Sequence, residues 1–143
     1  MKTTKNILFG IVAILTLLIF FQACDKIAHT EFEGTHVLEK NMAKQVVAGG
    51  KQVWMEVKEI TDSRCPINVE CVWAGIATAK ISFDDLPENT VELCLGACDV
   101  VSKPRIQEIT INSVIYTVEL KDVTPYPGDK QEDKKAMIVI TKK

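Results

Sequence analysis

The side chains of this 143-residue sequence best suited to chemistry are its five cysteines, Cys24, Cys65, Cys71, Cys94 and Cys98. The last four form two close pairs, Cys65-x5-Cys71 and Cys94-x3-Cys98. Such pairs either close as disulfides or offer four thiolates to a soft metal. Structural zinc generally uses tighter spacing, from Cys-x2-Cys to Cys-x4-Cys, in reducing compartments, so no metal site is expected. Met42 aside, the methionines that would suit a soft metal, Met55 and Met137, fall on strand-like periods and are expected in the core. Nucleophilic catalysis has little to build on. The only histidines are His29 and His36, both near the N-terminal end of any domain, and Ser63, Ser82, Ser102 and Ser113 have no evident base. No GxSxG elbow occurs. Asp84-Asp85 is a carboxylate pair, but neighbours on a strand face opposite ways, and a turn is the simpler reading. The sequence therefore predicts neither an enzyme nor a cofactor.

Cys24 belongs to a different part of the chain. Met1-Lys2-Thr3-Thr4-Lys5 is basic and free of acid, Ile7 to Phe21 is an almost unbroken apolar run, and Gln22-Ala23-Cys24 follows. A basic start, an apolar stretch and a small residue before a cleavage point have the layout of a secretory signal. The run is shorter than the ~20 residues that cross a bilayer, which disfavours an uncleaved anchor. The arrangement resembles the signals of bacterial lipoproteins, in which a small residue precedes the cysteine that receives the lipid. Phe21 and Gln22 depart from the Leu and small residue commonest there. The resemblance implies a signal peptide over 1–23, a lipid on Cys24 and a mature chain of 120 residues. Thioether-linked acyl chains on Cys24 would hold the protein to a membrane without a transmembrane segment, since anchoring generally takes more than one chain at ~0.8 kcal/mol per methylene.

Export bears on the remaining thiols. In an oxidising compartment four cysteines read as a disulfide framework with three connectivities open. The local pairs Cys65–Cys71 and Cys94–Cys98 are favoured, each contributing roughly 2 kcal/mol in the chain-entropy model. The formal charge is −2, and removing Lys2 and Lys5 leaves 15 basic against 19 acidic residues. That weak acidic bias lacks the basic footprint that nucleic-acid binding requires.

The elements that would position these groups are mostly strands. Residues 24–35 are polar and aperiodic and are expected to form a lipidated tether, with a β domain over 36–143. Val53, Met55 and Val57 alternate with polar residues, while Ile60 falls out of phase, which predicts a bulge near Lys58-Glu59. Thr61 to Pro66 is a loop. From Cys71 to Phe83 the odd positions are apolar or small, and Gly75, Ala77 and Ala79 leave room for Trp54 or Trp73. Val91, Leu93 and Leu95 start another strand. Ile109 and Ile111 meet Val114 to Leu120 across Asn112-Ser113 in a hairpin. Pro125-Tyr126-Pro127-Gly128 ends that strand, and Met137 to Thr141 makes the last. Residues 37–48 suit either a strand or a short helix. The total is six or seven strands, and the fold class is all-β: a small antiparallel sandwich, Ig-like or Greek-key, or a small barrel.

The most distinctive block runs from Asp62 to Gly75, DSRCPINVECVWAG. It resembles a DSRCPxxVxCxWAG block of small exported bacterial lipoproteins without assigned function, in which a later strand ends much as Val123-Thr124-Pro125-Tyr126-Pro127 does here. The resemblance spans most of residues 50–143. It implies a β domain with a cystine ahead of the Trp-bearing strand, and no activity. Two readings of the block follow. In the first, a Cys65–Cys71 bridge closes a loop over the sheet, Trp73 packs beneath it, and Arg64 and Asp62 stiffen the turn. In the second, Asp62, Arg64 and Glu70 form a recognition surface. The function expected is a membrane-anchored binding module of the bacterial envelope, periplasmic or surface-facing, with an envelope protein or glycan as partner. A structural envelope protein and a thiolate metal handler are the alternatives.

Overall fold

The computed structural model describes residues 30–84, 86–129 and 132–143. The expected signal peptide, Cys24 and His29 lie outside the described residues. Eight strands follow one another: β1 (Gly34–Glu39), β2 (Ala43–Ala48), β3 (Lys51–Asp62), β4 (Ile76–Phe83), β5 (Thr90–Gly96), β6 (Ile106–Ile111), β7 (Val114–Thr124) and β8 (Lys135–Lys142). They form two four-stranded antiparallel sheets, β2-β3-β4-β5 and β1-β8-β7-β6. The expected small sandwich is therefore present, and a closed barrel is not. Each strand pairs only with its neighbours in the chain, apart from β1 with β8. That order is an up-and-down meander, not the Greek-key or Ig-like alternative, because no strand returns to one three places away.

Alternation explains most of this. Val53, Met55 and Val57 on β3, Ala77, Ala79, Ile81 and Phe83 on β4, and Val118 and Leu120 on β7 all turn inward and are buried. A fully buried side chain of this size contributes roughly 1.5–3 kcal/mol, so the apolar layer outweighs the cystines as a source of stability. The segment 37–48, open between strand and helix, is divided between β1 and β2, with the left-handed Asn41 (φ 62°) turning the chain between them. Asn112 and Ser113 both take positive φ (50° and 65°), the backbone that a two-residue hairpin needs to follow the strand twist.

Several expectations fail for identifiable reasons. Trp54 and Trp73 are half exposed and fill no gap over the small residues of β4. The aromatic that enters the core is Phe32, which lies in the stretch expected to be tether. Phe32 is buried edge-on against Phe83 (5.5 Å between ring centroids) and Tyr116 (4.6 Å). Thr30 and Phe32 also exchange backbone hydrogen bonds with Val47. The packed domain thus includes residues before 36. His36, expected beside the tether, is buried, and its Nε2–H donates to the Phe32 carbonyl at 2.9 Å. Met137 is exposed, because β8 turns Ala136, Ile138 and Ile140 inward instead.

One central strand of each sheet carries a register shift, between Val57 and Glu59 on β3 and between Leu120 and Asp122 on β7. The first is the predicted bulge. A bulge adds one residue and reverses which parity faces inward. Beyond Lys58 the even residues turn in, so Ile60 packs against the core and the Asp62 side chain is 1% exposed. Beyond Lys121, Val123 is the buried position. The two bulges bring a carboxylate from one sheet and a carbonyl from the other to the same end of the sandwich.

Candidate functional site

That end carries the loops 63–75 and 97–105 and the stretches 125–129 and 132–134. Arg64 joins them. Its Nε and Nη2 donate to the two Asp62 oxygens at 2.8 Å each, and its backbone N–H reaches Oδ1 at 3.2 Å. Nη2 also donates to the Val123 carbonyl of the opposite sheet, and Asp122 lies 3.6 Å from Nη1. The guanidinium sits 4.2 Å from the centroid of the Tyr126 ring, a cation–π geometry. Lys134 completes the cluster, donating to Asp62 Oδ2 at 3.0 Å and to the Pro125 carbonyl. Burial pushes the Asp62 carboxyl up, but hydrogen bonds from Arg64 and Lys134 more than offset it and leave it below its ordinary value. The same contact with Asp62 raises Arg64 against the opposing effect of burial. The pair stays ionised and ties sheet to sheet.

The four domain cysteines form Cys65–Cys71 and Cys94–Cys98, the favoured pairing. Their thiolates are consumed in these bonds, and among the described residues no cluster of three or more His, Cys, Asp or Glu is arranged to hold a metal. The first cystine closes a loop whose base is fixed by Ser63 N–H to Ile76 O (2.7 Å) and Cys65 N–H to Ala74 O (2.9 Å). Gly75 makes that closure feasible. Its φ is +72°, and a Cβ there would stand 2.0 Å from the Ser63 carbonyl oxygen. Ile67 N–H donates to Pro127 O at 3.1 Å, which ties the 63–75 loop to the Pro125 loop. The second cystine lies at the end of β5, where Cys94 N–H donates to Pro104 O and Leu120 N–H to Arg105 O across the gap between the sheets.

These braces do not cover the loop's apolar side chains. Val72 is fully exposed, and Ile67, Val69 and Trp73 are about half exposed, with Tyr126 close behind. Of the residues expected to form a recognition surface, Asp62 and Arg64 are covered and only Glu70 is exposed. The first reading of the block holds for the ion pair, because the bulge turns Asp62 inward. It fails for Trp73, which is half exposed because the strand begins only at Ile76. No sequence signal marks Lys134 and Tyr126 as partners of the block. Their proximity is long-range and has no local signal, whereas the buried Asp62 follows from the bulge once the parity is counted through it.

No protein-family model, curated protein or solved structure matches the chain.

Proposed function

We propose that this chain is an exported lipoprotein held to a membrane by a lipid on Cys24, and that its disulfide end docks an envelope protein. The carrying observation is the set of apolar side chains exposed on a loop fixed by a cystine, a buried ion pair and backbone bonds. Exposed apolar clusters are costly unless covered by a partner, and a loop already rigid loses little entropy when it binds. The basic start, the apolar run and Ala23-Cys24 support the anchor, and the two cystines fit an oxidising compartment.

Geometry supports the orientation. The chain enters the domain at Thr30–Phe32 beside Val47, at the end of the sandwich where β3 starts. The Cys65 loop follows the far end of β3, which at about 3.3 Å per residue lies roughly 36 Å away. A lipid on Cys24 therefore holds one end near the membrane and directs the apolar loop away from it. Glu70 is the loop's only charge between Cys65 and Gly75. The matching partner surface is an apolar groove with a basic residue at its rim, not an anionic bilayer.

A photo-crosslinking amino acid placed at Val72 in living cells, with Thr110 on β6 as control, tests this. One dominant heterologous adduct at Val72 that is absent from Thr110 is the expected result. Adducts only with other copies of the chain overturn the docking claim and favour a structural envelope protein. Cys24→Ser should remove acyl label and release the chain from the membrane fraction; retained label sinks the anchor.

A further inference from the structure

We infer that the outer face of the β2–β5 sheet is a binding site for a neutral polysaccharide strand, separate from the disulfide end. The residues stand in cross-strand rungs. Trp54 pairs with Asp84, each backbone N–H in that pair being bonded, Trp54 N–H to Asp84 Oδ1 and Asp84 N–H to Trp54 O, both at 2.7 Å. The next rung is Glu56, Ser82 and Thr90, and the next brings Lys80 opposite Glu92, with Lys58 beside Lys80 at the bulge. Two depressions follow this strip. One of about 280 Å³ is lined by Ala43, Trp54, Glu56 and Asp84. The other, of about 630 Å³, is lined by Lys58, Lys80, Ser82, Pro87, Thr90 and Glu92. Glu56 and Ser82 are cross-strand partners, so the depressions occupy adjoining rungs.

The composition selects the ligand. Trp54 is the strip's one large exposed apolar side chain. It offers an aromatic plane of the kind that stacks on the C–H face of a sugar whose hydroxyls are equatorial. A protein interface would want a continuous apolar centre, which this strip lacks. Charge nearly cancels, with Glu56, Glu59, Asp84 and Glu92 against Lys58, Lys80 and Lys103, and two ion pairs form, Lys58–Glu56 (2.8 Å) and Lys103–Glu92. The paired carboxylates keep lone pairs that hydroxyls can use, and a nearly neutral strip attracts neither polyanion nor polycation. Ser82 is buried on the floor with its Oγ 3.3 Å from Thr90 Oγ1, whose proton is also within reach of Leu86 O. Where Thr90 donates to Ser82 Oγ, the Ser82 proton is left for the depression. From Trp54 to Lys58 the strip is about 13 Å long at 3.3 Å per residue, the scale of a short oligosaccharide and not of a single ring. The bulge at Lys58 keeps both Lys58 and Glu59 off the core, which widens the polar face at mid-strand.

The test is calorimetric titration of the full chain in detergent with cellotetraose and with tetra-N-acetylchitotetraose. Saturable binding of at least one, insensitive to added salt, is expected. Trp54→Ala should weaken it about tenfold or more while leaving the melting temperature unchanged, and Trp54→Phe should recover part of the loss. Trp73→Ser, at the other site, should leave the affinity as it is. Three outcomes overturn the inference: no saturable binding of either sugar, binding unmoved by Trp54→Ala, or loss of binding in Trp73→Ser. Salt-sensitive binding that an anionic oligosaccharide competes away also overturns it, because it assigns the lysines to an anion.

Discussion

The two ends of the sandwich are held by different chemistry. At the disulfide end, Arg64, Asp62, Lys134 and two cystines make a network of charges and covalent bonds. At the end where the chain enters, Phe32, Phe83 and Tyr116 pack as rings, the Tyr116 hydroxyl accepts from Gly49 N–H at 2.9 Å, Asn112 Nδ2 donates to Ala48 O, and His36 reaches Phe32 O. All of these contacts involve neutral groups. The difference shows how one β framework can carry a stiff distal loop and a softer base. Charge pairs fix geometry in a direction, because each donor must meet its acceptor; ring packing fixes only proximity. A loop that must present exposed apolar groups in one arrangement needs the first kind of support.

The largest break in that contrast comes from Arg64→Ala. Removing the guanidinium leaves Asp62 buried beside Lys134 alone and uncouples the sheets, at a cost of about 4 kcal/mol. Urea unfolding of the variant should show this as a lower midpoint with little change in slope. Replacing both members, as Arg64→Met with Asp62→Leu, should restore much of the stability without restoring the loop's order, because the apolar pair reproduces burial but not direction. If the double variant is as unstable as the single one, the uncompensated charge is not the source of the loss.

Phe32→Ala tests the other end. It removes the ring that touches both Phe83 and Tyr116 and should cost about 3 kcal/mol. The smaller effect reflects its place just before β1, where the chain can withdraw locally without opening the whole sandwich. Hydrogen exchange should then speed up at Val47 and Gly49 and stay slow at Cys65 and Ile67. Equal acceleration at both ends would mean that the two regions form one cooperative unit.

This contrast was unevenly legible in the sequence. The period-two runs Val53-Met55-Val57 and Val114-Tyr116-Val118-Leu120 state their buried faces directly, and the hairpin at Asn112-Ser113 needed only residues tolerant of positive φ. The misplaced Ile60 betrayed the bulge at Lys58. The same signature, Leu120 followed by Val123, marks the bulge in β7. Phe32 gave no local sign, since a single aromatic in a polar string has no periodicity and its partners Phe83 and Tyr116 lie 51 and 84 residues on. The two tryptophans misled for a physical reason. Small residues on β4 suggest a cavity in need of a large neighbour, but in a sandwich the opposite sheet closes that space, and Leu120, Ile138 and Ile140 are part of the layer that does so. The cystine loop was read correctly as a closed loop because its spacing is short. The identity of what lies inside it, Arg64 and not Trp73, depended on Tyr126 and Lys134, some sixty residues and more away.

The finest separation between the ends is by pH. Burial holds His36 below its ordinary value of 6.5, with the Phe32 carbonyl opposing that shift and Lys44 adding to it. Its Nδ1 is buried without a hydrogen-bond partner among the described residues. The unfolded chain therefore takes up a proton before the folded one does. Stability is unaffected well above 6.5 and falls as pH drops below it, continuing down to the folded value. Asp62 is also lowered, so its contribution is present above its ordinary value of 3.8 and is lost only as pH falls beyond it. The two windows do not coincide. Mild acid should loosen the Phe32 end first, read as faster exchange at Val47 and Gly49, while Cys65 and Ile67 stay protected until the carboxylate range. His36→Gln keeps a donor for Phe32 O and removes the titration, so it should flatten the decline below pH 6.5 without altering the steeper loss in the carboxylate range. If the decline persists in His36→Gln, the mild-acid softening belongs to the surface charges, and the neutral end is not the weaker one on this account.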